Sequence, residues 1–236
     1  MSSLHTRLQA YLNKHRSTTK LLIHERPTFK ANPDLSVKDV GIESALTARP
    51  QTTEDVQVLV HYSIENNVRF VVRTGSHDYS SNIQGVDIMW IDMRDIDYVD
   101  VAGDRTTAKV GGGIFFRGLS EALKEQGLVT LADTIANIGY AGWETIASYG
   151  HFSALHGLGA DQIVSAKFVN AQGDIDEASD EELHAIIRRG GIFGVIVELT
   201  LKVCSLKEVS RVARSRYKSS PAVQAPRSRL LSNYTV

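Results

Sequence analysis

From residue 195 to residue 203 an apolar side chain falls at every second position: Val195, Val197, Leu199, Leu201 and Val203. A period of two held over this length is the pattern of an extended strand with one buried face. Such a strand cannot stand alone, so the chain must supply partner strands and a layer to cover that face. Candidates precede it. Residues 68–72 and 86–92 are short apolar runs, the second apolar enough along its middle to be covered on both faces. Residues 107–110 lead into Gly111-Gly112-Gly113, and residues 163–169 turn at Ala171-Gln172-Gly173 towards Ile175.

Helical patterns lie between these runs. Residues 3–15 read as a short helix. Thr52 and Thr53 can cap a second, with Glu54 and Asp55 in its first turn, where the dipole favours acids. Val56, Leu59, Val60, Ser63 and Ile64 follow one buried face, and Asn66-Asn67 ends it. After the glycine trio a further helix turns Phe115, Leu119, Ala122 and Leu123 inward and stops at Gly127. Ser179 and Glu182 form an S-x-x-E capping box ahead of Leu183, Ile186 and Ile187, with Gly190-Gly191 as the stop. The resulting class is α+β. An extension with a short helix (1–42) precedes an organised region (43–206) and a tail (207–236). The organised region divides into a unit with a small parallel-containing sheet (43–100) and one with a mixed or antiparallel sheet and helices (101–206).

Two segments carry candidate chemistry. Arg73-Thr74-Gly75-Ser76-His77-Asp78-Tyr79 leaves a strand directly, and a Gly/Ser loop there can point successive N–H groups at a phosphate or pyrophosphate. The spacing is neither G-x-G-x-x-G nor G-x-x-x-x-G-K-[ST], so nicotinamide-type and Walker-type nucleotide binding lose support. On spacing alone His77 reads as a loop histidine with a structural hydrogen bond. The second segment runs from Ile138 to Asp161 and interleaves glycines with aromatics. It fits a backbone pressed against a flat ligand, or equally a glycine-rich loop crossing a sheet end.

In order, the chain presents Ala48-Arg49-Pro50, Val71 to Tyr79, Trp90-Ile91-Asp92-Met93-Arg94, Val110 to Gly113 and Gly139-Tyr140-Ala141-Gly142-Trp143. Gly157-Leu158-Gly159-Ala160-Asp161, Val169-Asn170-Ala171-Gln172-Gly173 and Gly191 to Val197 follow. This series resembles the FAD-binding (PCMH-type) domain of the vanillyl-alcohol-oxidase and berberine-bridge-enzyme-like superfamily, most of all its fungal FAD-linked oxidoreductases. The resemblance covers about residues 43–206. It implies that Arg73, Thr74, Gly75, Ser76, Asp78 and Tyr79 wrap the FAD pyrophosphate. His77 takes the position that in this family commonly bonds the flavin 8α-methyl. Gly139, Tyr140, Gly142, Trp143, Tyr149, Gly150, Phe152, Gly194 and Ile196 match segments lining the flavin or adenine. The implied activity is oxidation of an alcohol, sugar or secondary metabolite by hydride transfer to flavin, with O₂ as acceptor.

The chain also departs from that pattern. Where some relatives place a second flavin-bonding cysteine it has Ile135, and its single cysteine, Cys204, lies elsewhere, so no bicovalent link is expected. Ala147-Ser148 stand where relatives carry Gly-Gly, His151 where they carry proline or a small residue, and Arg188 to Gly191 is one glycine short. The family's catalytic base and much of its substrate pocket come from a region beyond the strand matching 195–203. No base is therefore assigned, and a truncated or degenerate homologue acting as a flavin-binding or accessory protein is the alternative.

Charge is uneven. Residues 205–236 hold seven Lys/Arg and one Glu, leaving a net of −7 on the first 204 residues of a chain whose overall net is −1. This basic, serine-rich tail reads as disordered, with no reader motif for nucleic acid. No apolar run reaches membrane-spanning length and no secretory signal stands out, so an intracellular, cytoplasmic protein is expected, with FAD, an unspecified small-molecule substrate and room for a partner chain. His151, His156 and His184 lack metal-ligand spacing.

Overall fold

The computed structural model describes residues 3–22, 46–77, 88–133, 135–146, 148–150, 152–179, 181–183 and 193–207. The expectations for Asp78, Tyr79, Ala147, His151, Ile186, Ile187, the stretch 188–191 and the basic tail from residue 208 lie outside these residues.

The chain opens with helix α1 (Leu4–Lys14), whose first turn is closed by the Ser3 hydroxyl accepting from the Thr6 amide. Strands β1 (Lys20–Leu22) and β2 (Leu46–Arg49) pair antiparallel. Helix α2 (Thr53–Asn66) begins where the threonine pair predicts, with Thr52 accepting from the Asp55 amide at 3.1 Å. Asn67 ends it in the left-handed region, at φ 50°. Strands β3 (Arg69–Arg73) and β4 (Ile88–Asp92) complete a four-stranded sheet ordered β1-β2-β4-β3, in which β2, β4 and β3 run parallel. All five residues of β4 are buried, as its unbroken apolar middle requires.

The second sheet is antiparallel throughout. It comprises β5 (Val99–Val101), β6 (Thr107–Gly111), β8 (Ile163–Asn170), β9 (Ile175–Glu177) and β10 (Gly194–Lys202), ordered β5-β6-β10-β8-β9. Helix α3 (Phe116–Glu125) follows β6, and the two-residue strands β7 (Leu128–Val129) and β11 (Cys204–Ser205) pair with each other. Short helices α4 (Tyr140–Glu144) and α5 (Ser153–His156) lie ahead of β8. The alternation of residues 195–203 is real: Val195, Val197, Leu199, Leu201 and Val203 are all buried. The Ser179–Glu182 capping box also forms, with each side chain reaching the other's backbone amide.

Two helix faces differ from expectation, α2 by two positions and α3 by one. Ile64 is half exposed while Tyr62 is buried, its ring packed edge-on against Tyr11 of α1; Val56, Leu59, Val60 and Ser63 are buried as the spacing predicts. In α3 it is Phe116, not Phe115, that enters the core. Phe115 is the N-cap and its backbone bridges to Gly139.

Packing ties the sheets together. Leu8, Leu12, Val56, Leu59, Leu46 and Met89 share one cluster with Val169, Val195 and Val197 of the second sheet. Leu199 and Leu201, farther along β10, belong to the other cluster, with Phe116, Leu119, Tyr140 and Trp143. The N-terminal helix is thus core, anchored through Asp55. This buried carboxylate accepts from the Ser17 hydroxyl (2.6 Å), the Thr18 amide (2.8 Å) and hydroxyl (2.6 Å), and the Gln51 amide (2.9 Å). Burial alone would raise its pKa, but these hydrogen bonds outweigh burial and hold it below the usual carboxylate range. Its contribution to stability is therefore present above the ordinary aspartate pKa and is lost as pH falls through the lowered value. Asp55→Ala, which strands four donors, should lower unfolding free energy by about 3 kcal/mol, read from urea midpoints at neutral pH.

Candidate flavin site

Parallel strands set the site. The carboxyl ends of β3 and β4 place Arg73 and Asp92 side by side, at the end of a parallel sheet where ligands of α/β proteins bind. Asp92 is fully buried and takes Arg94 in a two-point clasp, Nε to Oδ1 at 2.8 Å and Nη2 to Oδ2 at 2.7 Å. The Arg73 guanidinium lies 3.7 Å from the same carboxylate and 4.0 Å above the Trp90 ring. Two guanidinium groups thus share the Asp92 carboxylate at the carboxyl ends of β3 and β4.

In that loop Ser76 adopts φ 51°, in the left-handed region. Among the described residues no acceptor is paired with the amide N–H groups of Gly75, Ser76 and His77. Successive open amides around a left-handed residue form an anion-binding nest. A left-handed turn of this kind beside two arginines is a residue set that fits a pyrophosphate.

The loop is braced by the second candidate segment. A Cβ on Gly75 would stand 2.7 Å from both the Asn137 carbonyl oxygen and the Gly139 nitrogen. The same intimacy appears from the other side, where a Cβ on Gly139 would meet Thr74 Cβ at 2.7 Å. Nε2 of His77 is 3.1 Å from the Asn137 carbonyl oxygen, and the Thr74 hydroxyl reaches the Gly112 carbonyl at 3.5 Å. Residues 136–140 are in turn held by hydrogen bonds to residues 114–117 at the start of α3. Loop 73–77, the glycine trio and the turn before α4 therefore converge on one place, although they lie far apart in sequence.

Two rings of that second segment, those of Tyr140 and Trp143, pack into the core. Tyr140 is fully buried and Trp143 nearly so, both edge-on to Phe116 with centroids 5.1 and 4.9 Å away. Gly139 supplies backbone to the site, and Gly142 has open space where a Cβ would be. Tyr149 is 80% exposed, whereas Gly150 closes on the Ala132 carbonyl and Phe152 and Ile196 lean on the core beneath. Gly194, at φ 159°, sits against the Val169 carbonyl.

Sequence reasoning missed Glu144. It is fully buried on α4, where Oε1 accepts from the Tyr140 hydroxyl at 2.8 Å while Oε2 has no hydrogen-bond partner among the described residues. Burial pushes its pKa up to about 9 against the opposing Tyr140 bond, so the carboxyl is neutral at pH 7. The signal available was the i, i+4 spacing of Tyr140 and Glu144 on one helix face.

The model of the family described as FAD binding domain matches residues 44–179, more than half of the chain and the span that builds this site. The chain belongs to the FAD-binding-domain family. Within it, the chain is similar to the FAD-linked oxidoreductase aurO of Gibberella zeae, with 31% identity over 80% of this chain and 38% of that protein. It is also similar to (R)-6-hydroxynicotine oxidase of Paenarthrobacter nicotinovorans, with 28% identity over 69% of this chain and 36% of that protein. Among solved structures, 6-hydroxy-D-nicotine oxidase from Arthrobacter nicotinovorans superposes with a TM-score of 0.72 (80% of this chain, 43% of that one, 23% identity). BBE-like 1 of Physcomitrella patens gives 0.73 (84% and 44%, 23% identity). The α+β architecture is thus that of the BBE-like FAD-binding fold. The chain spans well under half the length of these relatives. No described helix is long and apolar enough to cross a membrane, and no metal-holding cluster occurs among the described residues.

Proposed function

We propose that this chain is the FAD-binding part of an oxidoreductase, holding the cofactor pyrophosphate on residues 73–79 and tethering the flavin through His77. The observation that carries the reading is the turn at Gly75–His77, with Ser76 in the left-handed region, which directly follows Arg73 of the Arg73–Asp92–Arg94 cluster. Bound FAD supplies the two-electron acceptor, and the oxidised substrate is an alcohol, sugar or secondary metabolite, with O₂ as final acceptor. The protein's part is to bind and orient. Loop 73–77 and the backbone of residues 137–139 form a rigid wall, and Gly142, Tyr149, Phe152, Gly194 and Ile196 extend it.

His77 suits attachment because of its hydrogen bond. If Nε2–H donates to the Asn137 carbonyl, the lone pair rests on Nδ1, which is the competent nucleophile. His77 would hold the flavin through that nitrogen, and the bond would need the flavin and O₂ to take up the two electrons and two protons that its formation sets free.

The purified chain, supplied with FAD, is expected to be yellow and to keep its flavin in the pellet after acid precipitation. His77→Ala should release the flavin to the supernatant while still binding it. A colourless protein that takes up no added FAD overturns the reading and leaves the accessory role. Acid-soluble flavin on the unaltered protein overturns only the tether.

A further inference from the structure

Helix α4 stands between the two segments that build the flavin site. At its N-terminal end a Cβ on Gly139 would lie 2.7 Å from Thr74 Cβ, and the Tyr140 amide donates to the Ile114 carbonyl at 2.9 Å. At its other end Glu144 meets the return of the second segment. A Cβ on Gly159 would stand 2.8 Å from Glu144 Oε2, 2.9 Å from Trp143 Cζ3 and 3.2 Å from the Ser148 carbonyl oxygen. That same carbonyl accepts from the Gly159 amide at 2.7 Å. One oxygen of a fully buried carboxyl thus lies against residues 148–159, while the other takes the Tyr140 hydroxyl, one turn back towards Gly139.

We propose that Glu144 is a positioning residue for the cofactor: its neutral carboxyl holds residues 148–159 against α4, and loss of its proton to solvent opens that wall and releases FAD. The proposal rests on the flavin reading above. Among the described residues no cation is ion-paired with Glu144, and Oε2 has no hydrogen-bond partner. Tyr140 keeps its proton, because burial and the neighbouring carboxyl hold its pKa well above the ordinary tyrosine value. On the segments around α4, Asp161, Tyr149 and His156 are exposed and Asp133 is partly so. The charged groups of α3, Arg117, Glu121, Lys124 and Glu125, all face solvent. A carboxylate at this place therefore gains water only if the contact with Gly159 parts. FAD and the proton favour the same closed state, so each tightens the other's hold. Burial sets the change near pH 9, the value to which the carboxyl is pushed.

The probe is FAD itself, added to the full chain carrying His77→Ala so that the flavin stays exchangeable, with binding followed by flavin fluorescence from about pH 6 to about pH 10. Affinity should be level up to about pH 8. One unit above the Glu144 midpoint it should be about tenfold weaker, since the competent fraction is then about one in eleven. The protonated-carboxyl stretch in the infrared, identified by its absence from Glu144→Gln, should fade with the same midpoint, and FAD should move that midpoint upwards. Glu144→Gln, neutral throughout, should hold FAD with no dependence on pH. Far-UV circular dichroism checks that both proteins stay folded. Undiminished binding at about pH 10 overturns the proposal, as does a Glu144→Gln protein that loses FAD in parallel or binds none. An infrared band that persists while FAD is lost, or a loss that merely tracks unfolding, overturns it too. No uptake of FAD at about pH 7 overturns the flavin reading itself, and this inference with it.

Discussion

Gly113→Ala is expected to leave little or no folded protein. Gly111, Gly112 and Gly113 thread between the turn at residues 93–98 and β10, and each closes on a backbone. Gly111 lies on the Ile96 carbonyl, Gly112 on the Ile196 carbonyl and Gly113 on the Met93 carbonyl. Their amides bond the same walls, to Tyr98, Val197 and Ile96 at 2.9, 2.8 and 2.9 Å. A Cβ at Gly113 would overlap the Met93 carbonyl oxygen, and no rotamer change relieves an overlap between backbones. The loss should exceed about 4 kcal/mol, much of the stability of a domain this size. Gly118→Ala is the contrasting case. It lies inside α3 with only Ile114 Cγ1 at 3.7 Å from the added carbon, and should stabilise by about 0.5–1 kcal/mol. Soluble yield and urea midpoints separate the two, and a Gly113→Ala protein as stable as the unaltered chain would refute the crossing.

The second large effect concerns pH. Glu144 titrates near its ordinary value of about 4.5 when unfolded and near 9 when folded. Between those limits the folded state holds a proton that the unfolded state has released, so stability from this group falls as pH rises and levels off on either side. From pH 5.5 to 8.5 the loss is on the order of 4 kcal/mol, an upper bound because a buried group can relax. Glu144→Gln retains an acceptor for Tyr140 and is neutral at every pH. Its urea midpoint should change much less over that range, and identical slopes for the two proteins would show that the carboxyl is already ionised in the fold.

What was legible followed from local physics. The period of two in residues 195–203, the threonine cap of α2, the Ser179–Glu182 box and the buried parallel strand β4 each need only near neighbours in sequence. Ile64 and the exchange of Phe115 for Phe116 were misread because a helix's phase is set by the layer it meets. The loop at 73–77 was legible as a loop. Its bracing by Asn137 and Gly139 was not, since glycine is required there by a segment some sixty residues away. Tyr140 and Trp143 show the limit from the other side. An aromatic beside a glycine fits a core or a cofactor equally well, and only Phe116 decides.

The position of β10 bears on how a ribosome can deliver this protein. It is the central strand of its sheet, paired with β6 and β8, yet it is translated after both. Until residue 202 has emerged, the nascent chain carries two facing strands with open edges, while Val195, Val197, Leu199 and Leu201 are missing from the two cores. Domain closure is therefore a late event, governed by long-range pairing. The growing polypeptide must be kept from pairing with its neighbours until β10 slides between the other two.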